Sequence, residues 1–229
     1  MKRRIIVAID GPGGAGKSTI ARRLAGKLGF LYIDTGAMYR AVALWAQQSG
    51  TSWDNAPALE QLAIAADIGL RPHTSQVTLN GDDITEAIRT PEITQAASRI
   101  SAIAGVRRAM VGKQRKMAEE SSVVMEGRDI GTVVFPDADV KIYLDADPEV
   151  RADRRRKELE QKTPPAPPKD SILKELIERD QRDRTRAEAP LMQAPDALLV
   201  DTTGLGIEEV EEKILDIIRR KTSNGSTFH

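Results

Sequence analysis

Cysteine is absent from this 229-residue chain, which excludes disulfides, thiol chemistry and cysteine-ligated zinc or iron–sulfur centres. Histidine is scarce: His73 and His229 are the only imidazoles, the second at the last position, which argues against histidine catalysis and histidine metal sites. A charge of one sign is missing too. Lys+Arg and Asp+Glu are both 34, so no overall field draws the protein to nucleic acid or an anionic membrane, and any anion site must come from local clustering. No stretch approaches the ~18 apolar residues of a membrane span. Lys2-Arg3-Arg4 before Ile5–Ile9 imitates a signal peptide, but the apolar run stops at Asp10, short of the roughly 7–15 residues required. The expectation is a soluble, cytoplasmic chain. Hydrophobic residues at 40% and charged residues at 30% suit a globular fold. The length suits one large domain or two small ones at roughly 100–200 residues each, enough for a core without staples.

Ile5–Ile9 is a β-branched apolar run of the kind buried on both faces of a parallel sheet. From Ser18 the period becomes helical, with Ile20, Ala21, Leu24, Ala25 and Leu28 on one face before Gly29. Phe30–Ile33 reads as a second strand closing in Asp34, which completes a βαβ unit. Val123–Met125, Val140–Leu144 and Ala197–Val200 could join the same sheet across long helical segments, and this alternation predicts a doubly wound parallel α/β fold. Thr90-Pro91-Glu92 is a helix start, and a last helix from Ile207 should put Ile207, Val210, Ile214 and Ile217 on the core. Two segments break the pattern. Gln76–Ile84, with its Asn80-Gly81 turn, predicts a small antiparallel insertion; Thr163–Pro168, "TPPAPP", predicts a stiff exposed connector. Residues 222–229 form a polar tail expected to fray.

The stretch Gly11-Pro12-Gly13-Gly14-Ala15-Gly16-Lys17-Ser18-Thr19 fits two patterns. Gly11, Gly13 and Gly16 with Asp34 spell a dinucleotide fingerprint, while the same residues spell G-x-x-x-x-G-K-S, a phosphate-binding loop. Chemistry favours the second. A dinucleotide leaves Lys17 and Ser18 without a role, whereas a nucleoside triphosphate uses every position: backbone N–H groups around the β-phosphate, Lys17 on the β- and γ-phosphates, Ser18 on Mg²⁺. No Asn-Lys-x-Asp guanine signature follows, since Asn55, Asn80 and Asn224 all lack a following Lys. Kinases of small molecules remain.

Phosphoryl transfer between nucleotides needs fixed cations, and arginine's planar fork suits phosphate best. Candidates cluster at Asp34–Arg40, Glu126–Asp129, Arg151–Lys157 and Glu178–Arg186. In the last, helical spacing puts Arg179, Arg182, Asp183 and Arg186 on one stripe, although Glu178–Arg182 and Asp180–Arg184 could equally be solvated i,i+4 pairs. Arg151–Lys157 could be a surface helix, and Arg40 could pair with Asp34. Glu126 could hold the hydration shell of Mg²⁺ opposite Ser18 or simply cap its strand. His73 reads as a loop residue, Trp45 and Trp53 as packing.

Together, G-P-G-G-A-G-K-S-T, D-T-G-A-M-Y-R at 34–40, E-G-R-D-I-G-T-V-V-F-P-D-A at 126–138 and R-D-Q-R-D-R-T-R-A at 179–187 resemble the bacterial cytidylate kinases, P-loop nucleoside monophosphate kinases, over about residues 3–221. The resemblance implies a five-stranded core (3–35, 106–150 and 187–221), an inserted monophosphate-binding segment of helices and a small antiparallel sheet (36–105) and a helical lid (151–186). It implies a monomer transferring phosphate from ATP, with Mg²⁺, to CMP or dCMP in pyrimidine metabolism. Residues 11–19 would hold ATP, with Arg154 and Arg156 closing over it from the lid. Thr35, Tyr39, Arg40, Arg128 and Arg186 would hold the acceptor, Ser98, Arg107 and Asp129 would read cytosine, and Arg179 and Asp183 would meet the sugar. Lys17, Arg128 and Arg182 are the expected catalytic cations. Kinases of UMP or AMP, a dinucleotide-dependent oxidoreductase and a non-catalytic nucleotide sensor are the rival readings.

Overall fold

Alternation along β1 (Ile6–Asp10) decides the layering: Ile6 and Ala8 enter one apolar cluster, Val7 and Ile9 another on the opposite face. A strand covered on both sides belongs at the middle of a parallel sheet. The computed structural model describes residues 3–71, 76–162 and 164–223. Chain order continues with α1 (Lys17–Leu28), β2 (Leu31–Asp34), α2 (Thr35–Gln48), α3 (Ala56–Ala65), β3 (Ile68–Leu70), β4 (Val77–Leu79), β5 (Asp82–Asp83), α4 (Pro91–Ile100) and α5 (Ala104–Met117). Then come β6 (Val123–Gly127), β7 (Val140–Asp145), α6 (Pro148–Lys162), α7 (Lys169–Thr185), β8 (Leu198–Asp201) and α8 (Ile207–Ser223).

The main sheet has the order β2-β6-β1-β7-β8 with every pairing parallel. Helices α1 and α8 cover one face through Ile20, Leu24, Val210 and Ile214. The other face carries α2 to α5 through Met38, Leu59, Ile93 and Met110. Each such side chain, fully buried, contributes roughly 1.5–3 kcal/mol. Thr90 caps α4 by accepting from the Ile93 N–H at 3.2 Å, and Pro91 needs no partner in that first turn. Trp45 and Trp53 pack against the same core.

The small insertion forms an antiparallel sheet β3-β4-β5 turned by Asn80 and Gly81, both at positive φ. Its first strand, Ile68–Leu70, has too little alternation to be read from sequence. Pro164–Pro168 is non-helical, as its prolines require; Thr163, His73 and residues 224–229 lie outside the described residues. Three expectations need correction. Ile207 is 46% exposed and Ile217 half-buried, because the buried face of α8 is phased through Val210, Ile214, Leu215 and Ile218. Thr222 and Ser223 continue that helix. Arg186 lies past the end of α7, in extended backbone, so it does not continue the helical stripe. Among the described residues, no helix is long and apolar enough to cross a membrane.

Candidate active site

All five parallel strands end at one edge, where α/β sheets place their ligands, and the loop Gly11–Gly16 leaves β1 there. Gly11 has φ 147°, and a Cβ on it would lie 2.0 Å from the Leu144 carbonyl oxygen. Gly11→Ala should therefore cost about 3 kcal/mol from overpacking and backbone strain, checked as a lowered midpoint in urea denaturation. At the end of the loop Lys17 is buried and donates to the Pro12 carbonyl at 2.6 Å. Burial, reinforced by the Arg128 guanidinium, pushes its amine down to about 7.

Two helices from the second half of the chain grip this loop. Asp180 of α7 accepts the Gly13 N–H at 3.1 Å and pairs with Arg151 of α6 at 2.5 Å, and Arg151 also donates to the Gly13 carbonyl at 2.9 Å. Both side chains are buried. Neither was expected here: Asp180 reads in sequence as half of a surface pair with Arg184, Arg151 as one cation among several. Arg154, by contrast, donates to the Thr202 hydroxyl at 2.8 Å and its carbonyl at 2.6 Å, and Thr202 in turn neighbours the Ala15 carbonyl. Arg156 is exposed on α6.

Beside the loop opens a cleft. Thr35, Tyr39, Arg40, Ser98, Arg107, Arg128, Asp129, Arg179, Asp183 and Arg186 all line it, so five guanidiniums face two carboxylates. Asp34 caps α2 through the Ala37 N–H at 2.9 Å and pairs with Arg40 at 3.1 Å, so Arg40 is both paired and cleft-lining. Asp183 receives Arg128 at 2.9 Å; burial pushes its carboxyl up, but Arg128, Arg179 and Arg186 together hold it below its usual range. Asp129 pairs closely with Arg107 and lies 3.6 Å from Arg186. Arg107 also stacks over Tyr39, 5.9 Å from the ring centre. The Ser98 hydroxyl and the Nε atoms of Arg40 and Arg179 are buried without a protein hydrogen-bond partner. Burial, with Arg128 nearby, lowers Arg179 to about 10. Buried donors left open cost free energy unless something fills them, and an anion is what these would accept. Arg182 is exposed and does not line the cleft.

Glu126, at the end of β6, is buried and accepts the Tyr32 hydroxyl at 2.5 Å. Its pKa is raised by burial and by Asp34, with Lys17 and the Ser18 hydroxyl opposing. Ser18 and Glu126 thus adjoin as two hard oxygen donors, the sparse protein set that Mg²⁺ accepts when phosphates and water supply the rest. Among the described residues no larger cluster of acids or histidines exists for a metal. Asp10, which sequence reading passed over as a strand end, is also buried here. Burial raises it to about 6 against the pull of two N–H donors, Ile130 at 2.8 Å and Gly131 at 2.7 Å.

Comparison with known proteins agrees with this geometry. A family model described as cytidylate kinase matches residues 7–220. The cytidylate kinase of Solibacter usitatus is 59% identical over 228 residues, 99% of this chain and 97% of that one. That of Syntrophotalea carbinolica is 48% identical over 225 residues, 96% of this chain and 94% of its own. Among solved structures, an uncharacterised protein from Eubacterium ventriosum aligns with a TM-score of 0.54 at 12% identity, covering 94% of this chain and 98% of that one. That last likeness is one of fold alone. With a phosphate loop at the sheet edge, an arginine-lined cleft beside it and a family match over nearly its whole length, the chain belongs to the cytidylate kinase family.

Proposed function

We propose that the chain transfers the γ-phosphoryl group of ATP to CMP or dCMP, giving ADP and CDP or dCDP. One observation carries the acceptor assignment: a cleft with five guanidiniums, two of them holding buried Nε donors open, next to a carboxylate, Asp129, fixed at its wall. The arginines match a phosphate dianion. Asp129 matches an exocyclic amine, which CMP has and UMP lacks. No general base is needed, because the acceptor phosphate is already largely dianionic near neutral pH.

In this reading Gly11–Thr19 binds the donor, and Lys17 bridges its β- and γ-phosphates, neutralising charge as the γ-phosphoryl group leaves for the acceptor. Arg128 lies between the two sides, its guanidinium close to Gly13 and paired with Asp183 across the acceptor cleft. Thr35, Tyr39, Arg40 and Arg186 steady the acceptor phosphate, Ser98 and Arg107 join Asp129 on the base, and Arg179 and Asp183 meet the sugar. Ser18 and, through water, Glu126 would hold Mg²⁺, which when bound neutralises charge on the phosphate oxygens. Residues 36–105 act as the acceptor-binding insertion and 151–186 as the lid. Arg154, Arg156 and the exposed Arg182 reach the nucleotides as that lid closes. The enzyme works as a cytoplasmic monomer in pyrimidine metabolism. It has neither nucleic acid nor membrane as a partner, and its zero net charge supports that last point alone.

A panel of CMP, dCMP, UMP and AMP, each with ATP and Mg²⁺ and followed by ADP release, tests the proposal. The cytidine nucleotides should be turned over best; faster turnover of UMP or AMP would replace it with that rival. Lys17 adds a pH prediction. Its amine is half-charged near 7 in the free protein, while bound phosphates favour the charged form. ATP binding should therefore take up a proton above pH 7, and affinity should fall up to about tenfold per pH unit there while levelling off below. Calorimetry at pH 8 in buffers of different ionisation enthalpy measures the uptake, and binding without proton exchange would contradict it.

A further inference from the structure

We propose that Asp10 is the residue that keeps Asp129 free to read the acceptor base, by capping in its place the helical turn that Asp129 begins. This rests on the reading of Asp129 given above. The turn spans Ile130–Val134 and is wound with i→i+5 bonds, Val134 N–H to the Asp129 carbonyl and Phe135 N–H to that of Ile130. Its leading N–H groups have no partner inside the turn.

An aspartate at the position before a helix ordinarily folds its carboxylate back onto those N–H groups. Asp129 occupies that position and makes no such bond. Its carboxylate instead faces Arg107 and Arg186 at the wall of the cleft. The vacant task falls to Asp10, 120 positions away in sequence, whose Oδ1 accepts the Ile130 N–H and whose Oδ2 accepts the Gly131 N–H. Both oxygens are committed, and the side chain is only 5% exposed.

One carboxylate cannot both cap the turn and face the cleft. With Asp10 in place the turn is satisfied and Asp129 is released to the acceptor. Without it, two uncapped N–H groups lie beside the nearest carboxylate, that of Asp129, and draw it away from the base. Asp10 is thus a positioning residue for specificity. It is also the last residue of β1, directly before Gly11, so the turn that bears the base reader is tied to the strand that bears the phosphate loop.

The test is a cycle of four proteins: wild type, Asp10→Ala, Asp129→Ala and the double variant, each assayed for kcat and KM with CMP and with UMP. Asp10→Ala should lower the preference for CMP over UMP by roughly tenfold, the worth of a helix cap, with the loss in KM for CMP rather than in kcat. In the Asp129→Ala background the same change should do nothing further to the preference, because its effect passes through Asp129. An unchanged preference in Asp10→Ala, or an equal further fall in the double variant, overturns the proposal. If Asp10→Ala does not fold, Asp10→Asn takes its place. It keeps the size of the side chain but turns an amide NH2 toward one of the two N–H groups, so one of the two cap bonds is lost. It should shift the preference in the same direction, and no shift overturns the proposal. A wild type that prefers UMP or AMP brings down the functional reading and this inference together; a CMP-preferring wild type with an indifferent Asp10→Ala brings down only this one.

Discussion

Lys17→Ala should lower kcat about a thousandfold, the scale set by removing a preorganised charge from a transition state, while CMP binding stays close to that of the wild type. The amine sits at the head of α1 near Arg128, Glu126, Arg179 and Asp180, and does not itself line the arginine-rich cleft. It can therefore act on the group in flight without touching the base or sugar of the acceptor. Steady-state kinetics with separate titration of CMP distinguishes the two effects. Equal losses in turnover and CMP affinity would show that Lys17 supports the shape of the site instead of the reaction. Stability supplies a control with a definite sign. Folding lowers this amine from its ordinary range to about 7, so between those values the unfolded chain binds the proton more tightly than the folded one. The charged amine is thus a burden on the fold, and it is heaviest below pH 7. Removing it should leave the melting temperature unchanged or raised near neutral pH, and a marked fall would count against the buried, desolvated position.

Asp129→Ala should have two large effects together. Arg107, almost fully buried, would lose its counter-charge with Arg186 close by. Breaking a buried pair from one side costs about 3–5 kcal/mol, since the surviving charge has no water to return to. The same change should reduce the preference for CMP over UMP at least about a hundredfold, because a site built around a buried hydrogen bond owes its selectivity to that bond. Urea denaturation measures the first effect and kcat/KM ratios for the two nucleotides measure the second. Destabilisation with an unaltered preference would make Asp129 a structural partner of Arg107 and would move base reading elsewhere in the cleft.

The core and the phosphate loop were legible because both are local. β-Branched runs, a helical period starting at Ser18 and the spacing of Gly11, Gly16, Lys17 and Ser18 each state their structure within a few residues. The arginine-lined cleft was legible in a different way: its residues come from α2, α4, α5 and α7 and from the segments that follow β6 and α7, and only motif resemblance links them in sequence. What escaped was pairing over long separations. Asp180 has a plausible local partner in Arg184, yet its carboxylate lies on Arg151 and on the Gly13 amide. Asp10 is one acid at the end of an apolar strand, and nothing near it in sequence announces Ile130 and Gly131. The phase of α8 failed for a related reason. Several apolar positions there satisfy the helical period, and only the sheet beneath selects Leu215 and Ile218 over Ile207 and Ile217.

The hold of Arg151 and Asp180 on Gly13 bears on how this protein could be rebuilt. The arm formed by α6 and α7 can be exchanged only whole. A graft from a relative that brought one member of the pair without the other would strand a charge against the peptide of the glycine loop. Chimeras should therefore be cut so that both helices travel as one unit.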